Sequence, residues 1–244
     1  SAAILYRCLR RTEKAIHVDP KELRIDVGSM KRILRIGLPA GLQNSVFAVA
    51  NIIIQGAVNS LGTIVMAASG AAFNLEAITY YILNSFSQAC TTFVGQNFGA
   101  GKYDRIRKSV RICLGMAAFT SILLSVIVLA GGRVFLHLFT DDPNVVSIGL
   151  GMMRVISPSY ITYICIEILG GTTRGCGDAV PPMLMTCVGV CVLRVIWNLV
   201  VVPMRPEVST VAFSYPLTWT TTSVLFIVYY LRGNWLRRCR GITQ

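Results

Sequence analysis

The chain has 244 residues, of which 54% are hydrophobic and 14% are charged, and its mean hydropathy is +0.61. A typical soluble domain carries about 25% charged residues, so this composition excludes that class and predicts an integral membrane protein. The net charge of +12 would suit nucleic acid in a soluble protein, but basic loops are the usual mark of membrane topology. We therefore expect the lipid bilayer, and no nucleic acid, as a partner.

Six apolar windows follow one another along the chain, each long enough to cross a hydrocarbon layer of about 30 Å. They cover residues 38–58, 64–93, 112–130, 146–170, 181–202 and 211–231. Backbone groups must be hydrogen-bonded internally within lipid, so we predict an all-α membrane protein with a bundle of six transmembrane helices. The second window is over-long, and we expect its helix to tilt or protrude.

Lysine and arginine are concentrated in three places: residues 1–35, the loop after the second window, and the C-terminal tail. The alternate loops contain only Arg133 and Arg205. Because positively charged loops stay in the cytoplasm, this asymmetry predicts a multi-pass protein of the cytoplasmic (plasma) membrane with both termini in the cytoplasm.

The N-terminal segment begins at Ser1 with a short apolar stretch that is followed at once by Arg7. This pattern resembles the cytoplasmic end of an earlier membrane helix, and it predicts that the chain is a piece of a longer protein. Further on, Ser29 is placed to cap a short interfacial helix with Met30 and Ile33 on its apolar face.

These features divide the chain into three parts. Residues 1–35 hold the end of the preceding helix, a basic cytoplasmic linker and the interfacial helix. Residues 36–232 form the six-helix transmembrane lobe, and residues 233–244 form a basic cytoplasmic tail.

Metal and catalytic chemistry find no support in the sequence. The eight cysteines are scattered without a CxxC pair, and the two histidines, His17 and His137, are far apart. The spacing of metal ligands is absent, and free cysteines in apolar windows act as small hydrophobic residues. No nucleophile, base and orienting group occur together at helical spacing, so we expect no enzyme, no catalytic residues, no metal and no cofactor.

Polar side chains recur at helical spacing inside four of the windows. The four rows are Gln43, Phe47, Asn51 and Gln55; Glu76, Tyr80, Asn84 and Gln88; Tyr160, Tyr163 and Glu167; and Arg194 and Asn198. Hydrocarbon cannot satisfy amides and carboxylates, so these rows should face one another or a water-filled cavity. From them we predict a site for substrate and ion made of Glu167, Glu76, Gln43, Asn51, Asn84, Tyr163 and Asn198.

Glu167 leads this set, because an acid at lipid depth is costly and commonly serves a proton, an ion or a cationic ligand. Pro158, nine residues earlier, lacks the N–H of a regular helix and can interrupt the helix near the site. Glu76 is more ambiguous in depth, because its window is over-long. Arg174 and Asp178 lie in a cytoplasmic turn, where capping and gating contacts are expected.

Structural explanations compete with this prediction. The amides of Gln43, Asn44, Asn51 and Asn198 could simply form hydrogen bonds between helices without any ligand. Arg194 could form a buried ion pair with Glu167 or Glu76 that only fixes the packing.

Four motifs lie at helix ends. They are Ile36-Gly-Leu-Pro39, Gly95-Gln96 with Gly99-Ala100-Gly101, Phe139-Thr-Asp-Asp-Pro143, and Arg174-Gly175-Cys-Gly177-Asp178 with Pro182. In this order and combination the chain resembles the multidrug and toxic compound extrusion family over about residues 1–235, and it resembles the second half of such a transporter.

The resemblance implies a twelve-helix protein with two six-helix lobes around a cavity that opens alternately to either side. Such proteins exchange amphipathic organic cations for H⁺ or Na⁺, so the expected partners are small organic cations and a missing N-terminal six-helix lobe or a second copy. Many relatives carry an acid on the first helix of this half, where this chain reads Gln43-Asn44-Ser45-Val46-Phe47. Coupling is therefore expected to rest on Glu167, Glu76 or the missing lobe.

The predicted mechanism is competition at a carboxylate, in which a proton displaces the bound cation. Two alternatives remain open. The first is a flippase for lipids or lipid-linked oligosaccharides, which would use Arg194 and Arg154 in a cationic cavity. The second is an inactive, truncated membrane fragment or partner subunit.

Overall fold

A computed structural model describes residues 6–9, 26–233 and 235–236, except for the side chain of Arg32. The helices are α1 (Val27–Asn59), α2 (Thr63–Gly99), α3 (Tyr103–His137), α4 (Pro143–Ile156), α5 (Tyr160–Gly175), α6 (Val180–Thr186), α7 (Leu193–Met204) and α8 (Val208–Leu231). A 3₁₀ turn, Ser157–Ser159, joins α4 to α5, and a π-helical segment, Cys187–Val192, joins α6 to α7. The described residues contain no strand, so the all-α prediction is confirmed. Four of the six apolar windows lie within one α-helix each, whereas window 146–170 runs through α4, the 3₁₀ turn and α5, and window 181–202 runs through α6, the π-helical segment and α7.

Among the described residues, five helical stretches are long and apolar enough to cross a membrane: Val27–Asn59, Tyr103–His137, Pro143–Gly175, Val180–Met204 and Val208–Leu231. Helix α2 is not among them, although its 37 residues extend for about 55 Å at 1.5 Å per residue. This helix carries Glu76, Asn84 and Gln88, and it lies at the centre of the bundle, packed on α3, α4 and α5. Its polarity therefore follows from its position between the other helices.

Helix α1 begins earlier than the sequence predicted. A single helix starts at Val27 and runs past Pro39 to Asn59, so the predicted separate interfacial helix is absent. Its cap is Asp26, whose carboxylate accepts the N–H of Ser29 at 2.7 Å, and the prediction that Ser29 caps the helix is wrong. The first backbone N–H groups of a helix have no partner within the helix, and the carboxylate of Asp26 already accepts one of them. Residues 6–9 form one helical turn, and the remainder of the predicted N-terminal segment up to residue 25 lies outside the described residues.

The interruption expected at Pro158 is present. Because proline has no backbone N–H, the regular helical bond to the carbonyl of Arg154 is lost, and the chain tightens into the turn Ser157–Ser159. The hydroxyl of Ser125 in α3 donates to the carbonyl of Ser157 at 2.8 Å. The same carbonyl accepts the backbone N–H of Tyr160, so the Ser125 contact adds a bond from α3 to the break between α4 and α5.

Helices α2 and α5 meet along a seam of glycines. A Cβ atom on Gly175 would lie 2.7 Å from the carbonyl oxygen of Thr91, and a Cβ atom on Gly171 would lie 2.5 Å from the side-chain hydroxyl of Thr91. The hydroxyl of Ser87 crosses the same seam and donates to the carbonyl of Glu167 at 2.9 Å. The close approach fixes the two helices that carry Glu76 and Glu167.

The basic loop after α2 and the end of α5 lie at the same end of the lobe. Gly95 of α2 lies against the carbonyl of Gly175, and Leu236 lines a surface cavity together with Lys102, Arg105 and neighbouring loop residues. Where they are described, the segments predicted to share one side of the membrane are therefore grouped together.

Candidate functional site

One cavity of about 550 Å³ opens between α1, α2, α5, α7 and α8. Its polar lining consists of Gln43, Asn44, Asn51, Glu76, Asn84, Gln88, Glu167, Arg174 and Arg194. Its aromatic lining consists of Phe47, Phe73, Tyr80, Tyr81, Tyr160, Tyr163, Tyr215 and Trp219. The structure thus brings together six of the seven predicted site residues, and Asn198 is the one that does not line the cavity.

Glu167 is half-buried and faces this cavity. The hydroxyl of Tyr163 donates to its Oε1 atom at 2.7 Å, and the amide of Asn84 lies 3.5 Å from Oε2, at the outer limit of a hydrogen bond. Neutral donors from α2 and α5 therefore hold a carboxylate that remains accessible from the cavity.

Glu76 is more enclosed, with 4% of its surface exposed. The hydroxyl of Ser157 donates to its Oε1 atom at 2.6 Å, and the hydroxyl of Tyr160 donates to its backbone carbonyl at 3.2 Å. Its Oε2 atom is buried and has no hydrogen-bond partner among the described residues. A buried acceptor of this kind requires a proton, an ion or another donor to offset its desolvation.

Arg194 does not form the ion pair that the sequence allowed. Its Nε and Nη2 atoms donate to the hydroxyl of Thr218 at 3.3 and 2.8 Å, and its guanidinium lies 4.1 Å from the centre of the Tyr215 ring. Within the described residues, neither Glu76 nor Glu167 is among its contacts. The aromatic residues of α5 and α8 occupy the space where the ion pair was expected.

Asn198 lies in a separate, mostly apolar cavity of about 380 Å³ between α1 and α7. Its amide donates back to the carbonyl of Arg194 at 2.8 Å, within its own helix. One helical turn carries it about 6 Å along the axis from Arg194, beyond the cavity that Arg194 lines. Gln55 also lies outside the lining of the main cavity. It is near the end of α1, where its amide donates to the side chain of Asn59 at 2.9 Å.

Several lining residues were not predicted as part of the site. Arg174 lies at the end of α5, yet its long side chain reaches back along the helix and lines the cavity near Glu167. Tyr215 and Trp219 of α8 were missed because their window was interpreted only by its mean hydropathy. Their spacing of four, beside the buried Ser214, Thr218 and Thr222, is a periodic signal that could have identified this face.

Three of the four motifs of the resemblance lie at helix ends in the structure, whereas Ile36-Gly-Leu-Pro39, expected at the start of the first helix, lies inside α1. Gly101, with φ +70°, turns the chain between α2 and α3, and Gly177, with φ +90°, turns it after α5. Asp142 caps α4 by accepting the N–H of Asn144 at 2.8 Å, next to Pro143 in the first turn. These residues set the geometry of the connections and lie outside the cavity lining.

Comparison with known proteins identifies the class. The family model MatE matches residues 39–200, and the chain therefore belongs to the MatE family, a family of membrane proteins. It is 22% identical over 211 residues to the "Probable multidrug resistance protein NorM" of Thermotoga maritima, covering 86% of this chain and 46% of that protein. It is 26% identical to the "Probable multidrug resistance protein YpnP" of Bacillus subtilis, covering 83% of this chain and 45% of that protein.

Solved structures give the same fold. The "Crystal structure of MATE in the bent conformation" superposes with a TM-score of 0.87 at 13% identity, covering 97% of this chain and 53% of that one. A transporter of the MOP superfamily from Pyrococcus furiosus superposes with a TM-score of 0.77 at 20% identity, covering 82% of this chain and 44% of that one. The chain thus spans about half the length of each of these four proteins, as one lobe of a two-lobe transporter would.

Proposed function

We propose that this chain forms one lobe of a cation-coupled exporter of amphipathic organic cations, which works by alternating access in the plasma membrane with both chain ends in the cytoplasm. Relatives named as multidrug resistance proteins support drug export. The other lobe, or a second copy of the chain, would complete the pore.

The observation that carries this proposal is the shared cavity of Glu167 and Glu76. Two acids from separate helices face one void, and aromatic rings form much of the remaining wall. Carboxylates attract positive charge, and aromatic faces bind organic cations with about 0.5–2 kcal/mol each. This combination suits a flat, positively charged molecule better than it suits a neutral lipid.

The proposed cycle is a competition at Glu167. Removal from water disfavours the charged carboxylate, whereas a bound organic cation favours it. Arrival of H⁺ or Na⁺ from outside neutralises the carboxylate, and the organic cation leaves. Tyr163 and Asn84 hold the side chain in place while its partner changes, and Glu76 offers a second, more enclosed position for H⁺ or Na⁺.

The substitution Glu167→Gln tests the proposal. Binding of a fluorescent organic cation is measured on the purified chain in lipid nanodiscs, and gradient-driven dye efflux is measured in vesicles that combine the chain with an N-terminal lobe. We expect Glu167→Gln to remain in the membrane but to lose efflux. The matched control is Glu207→Gln, because Glu207 is exposed in the loop before α8 and lies outside the cavity. Efflux by Glu167→Gln at nearly the normal rate would remove Glu167 from the mechanism.

The flippase alternative receives less support from the geometry. It needs a cationic cavity built on Arg194 and Arg154, but Arg154 is exposed on α4 and does not line the void. Two acids line the same cavity as Arg194 and Arg174, so its wall does not carry the excess positive charge that a phosphate-bearing lipid would require.

A further inference from the structure

A second cavity, called the basic cavity below, opens at the surface of the lobe beside the loop between α2 and α3. It has a volume of about 570 Å³ and, within the described residues, shares no lining residue with the cavity of Glu76 and Glu167. Its lining includes Lys102, Tyr103, Asp104, Arg105, Arg107 and Leu236. Three of these side chains are positively charged and one is negatively charged, so the basic cavity has an excess of two positive charges.

The cations of the basic cavity are not neutralised by the fold. Lys102, Arg105 and Arg107 are exposed, and in the described part of the chain none of them forms an ion pair with Asp104 or with another acid. They lie together because Gly101, with φ +70°, turns the chain directly into the start of α3. The backbone therefore brings three positive charges to one void and supplies no anion to balance them.

Aromatic residues place the basic cavity at the level of the lipid headgroups. The ring of Tyr103 meets that of Phe98 edge-on, with ring centres 5.9 Å apart, and Tyr230 stacks on Trp235 at 5.2 Å. The indole N–H of Trp235 donates to the carbonyl of Tyr230 at 3.1 Å, next to Leu236 in the cavity lining. Tyrosine and tryptophan are enriched where the membrane meets water. The phosphates of the bilayer lie at this depth.

The face of α3 that carries Arg105 continues as an apolar surface toward the interior of the membrane. Ile112, Met116 and Phe119 follow Arg105 by 7, 11 and 14 residues, so they lie on the same side of the helix. Their exposed fractions are 51%, 54% and 71%. A molecule with both phosphate and acyl chains can contact the basic cavity and this surface at once, whereas a free phosphate would gain the cavity alone.

We propose that the basic cavity binds a phospholipid whose headgroup carries two phosphate charges. Two negative charges balance the excess of two positive charges in the lining. Arg105 and Arg107 can each bind phosphate oxygens with two parallel hydrogen bonds, and Lys102 adds a point charge. Basic pockets at the membrane surface are suited to such headgroups. The site goes beyond the proposed function, because it does not depend on which molecule the cavity of Glu76 and Glu167 transports.

The first test compares three ligands on the purified chain in a neutral detergent. They are cardiolipin, which has two phosphates, phosphatidylglycerol, which has one, and inorganic phosphate, which has no acyl chain. A ligand that binds only the folded chain raises the thermal unfolding midpoint, and a titration gives its apparent dissociation constant. We expect cardiolipin to bind about tenfold more tightly than phosphatidylglycerol, and inorganic phosphate to have no effect at the same concentrations.

Paired variants distinguish a site from a general attraction between a basic surface and anionic lipid. Arg105→Gln with Arg107→Gln removes two cations from the lining. The matched control is Lys108→Gln with Arg111→Gln, which removes two exposed cations from the same part of α3 but outside the lining. We expect the first pair to weaken cardiolipin binding about tenfold and the control pair to weaken it by less than about twofold.

Each contrary result overturns the proposal in a different way. Equal losses in the two double variants would show that attraction follows net charge alone. Equal affinities for cardiolipin and phosphatidylglycerol would exclude a site for a headgroup with two phosphates. A midpoint raised as much by inorganic phosphate as by cardiolipin would assign the cavity to a free anion. The midpoint without lipid identifies any variant that fails to fold, and the comparison of ligands on the unmodified chain then decides.

Discussion

Glu76 and Glu167 are both glutamates that line one cavity, but their surroundings hold the two carboxylates in different ways. Glu76 is almost fully enclosed and bonded to Ser157 at the break between α4 and α5. Glu167 is half-buried and bonded to Tyr163 in its own helix, with its other oxygen near Asn84. The enclosed acid is tied to the packing of the bundle, whereas the open acid is available to a ligand.

This difference shows that depth in the membrane does not decide the role of an acid. The sequence ranks the two acids by their position in an apolar window, whereas the structure ranks them by the groups that surround each oxygen. An acid whose donors come from a helix break should affect stability, and an acid whose donors line a void should affect binding.

The largest expected effect comes from the seam that positions both acids. Gly175→Ala would place a Cβ atom 2.7 Å from the carbonyl oxygen of Thr91, which cannot rotate away. Forcing α2 and α5 apart should lower the free energy of unfolding by about 3 kcal/mol. The measurement is the thermal unfolding midpoint of the purified chain.

The matched control for this substitution is Gly115→Ala in α3, where a Cβ atom meets nothing within 4 Å. It should leave the chain as stable as before or raise its stability by up to about 1 kcal/mol. Equal midpoints for the two variants would show that the seam does not fix the relative placement of Glu76 and Glu167.

The second prediction concerns stability at the two acids. Glu76→Ala removes the acceptor of the Ser157 hydroxyl inside the bundle and should cost about 2 kcal/mol. Glu167→Ala should cost less than about 1 kcal/mol, because Tyr163 and Asn84 line the cavity, where water can take over as their partner. An increase in stability for Glu76→Ala would show instead that the buried carboxylate destabilises the fold.

The third prediction concerns binding at the same two positions. Glu167→Gln should weaken the binding of a cationic dye about tenfold, or about 1.4 kcal/mol, whereas Glu76→Gln should weaken it by no more than about threefold. The reason is access, since Glu76 is 4% exposed and its Oε1 atom is occupied by Ser157. Anisotropy titrations on both variants measure the two ratios, and a reversed order would make Glu76 the residue that holds the cation.

Much of this arrangement was predictable, because hydrocarbon forces amides and carboxylates inward. The recurrence of Gln43 with Asn51 and of Glu76 with Asn84 predicted the faces that line the cavity. Proline chemistry predicted the break at Pro158. These features depend on one helix at a time, which is why a linear pattern can identify them.

The features that were missed depend on two helices at once. Asn198 lines a separate cavity between α1 and α7, and Arg194 stacks on Tyr215 because α8 lies beside α7. The π-helical segment Cys187–Val192 accompanies Gly189, where a Cβ atom would lie 2.3 Å from the hydroxyl of Thr222. No spacing within a single window indicates such contacts between neighbouring helices.

The smallest predicted effect tests whether the helix break at Ser157–Ser159 affects only the surroundings of Glu76 and leaves ligand binding in the cavity unchanged. Ser125→Ala removes the bond from α3 to the carbonyl of Ser157 and should cost about 0.6 kcal/mol, the average for hydrogen bonds between membrane helices. Dye affinity should not change, because Ser125 does not line the cavity. The control is Ser85→Ala, whose hydroxyl bonds to Tyr81 within its own helix. If Ser125→Ala weakened dye binding severalfold while the control did not, the break would be coupled to the cavity, and the separation of a structural acid from a binding acid would no longer hold.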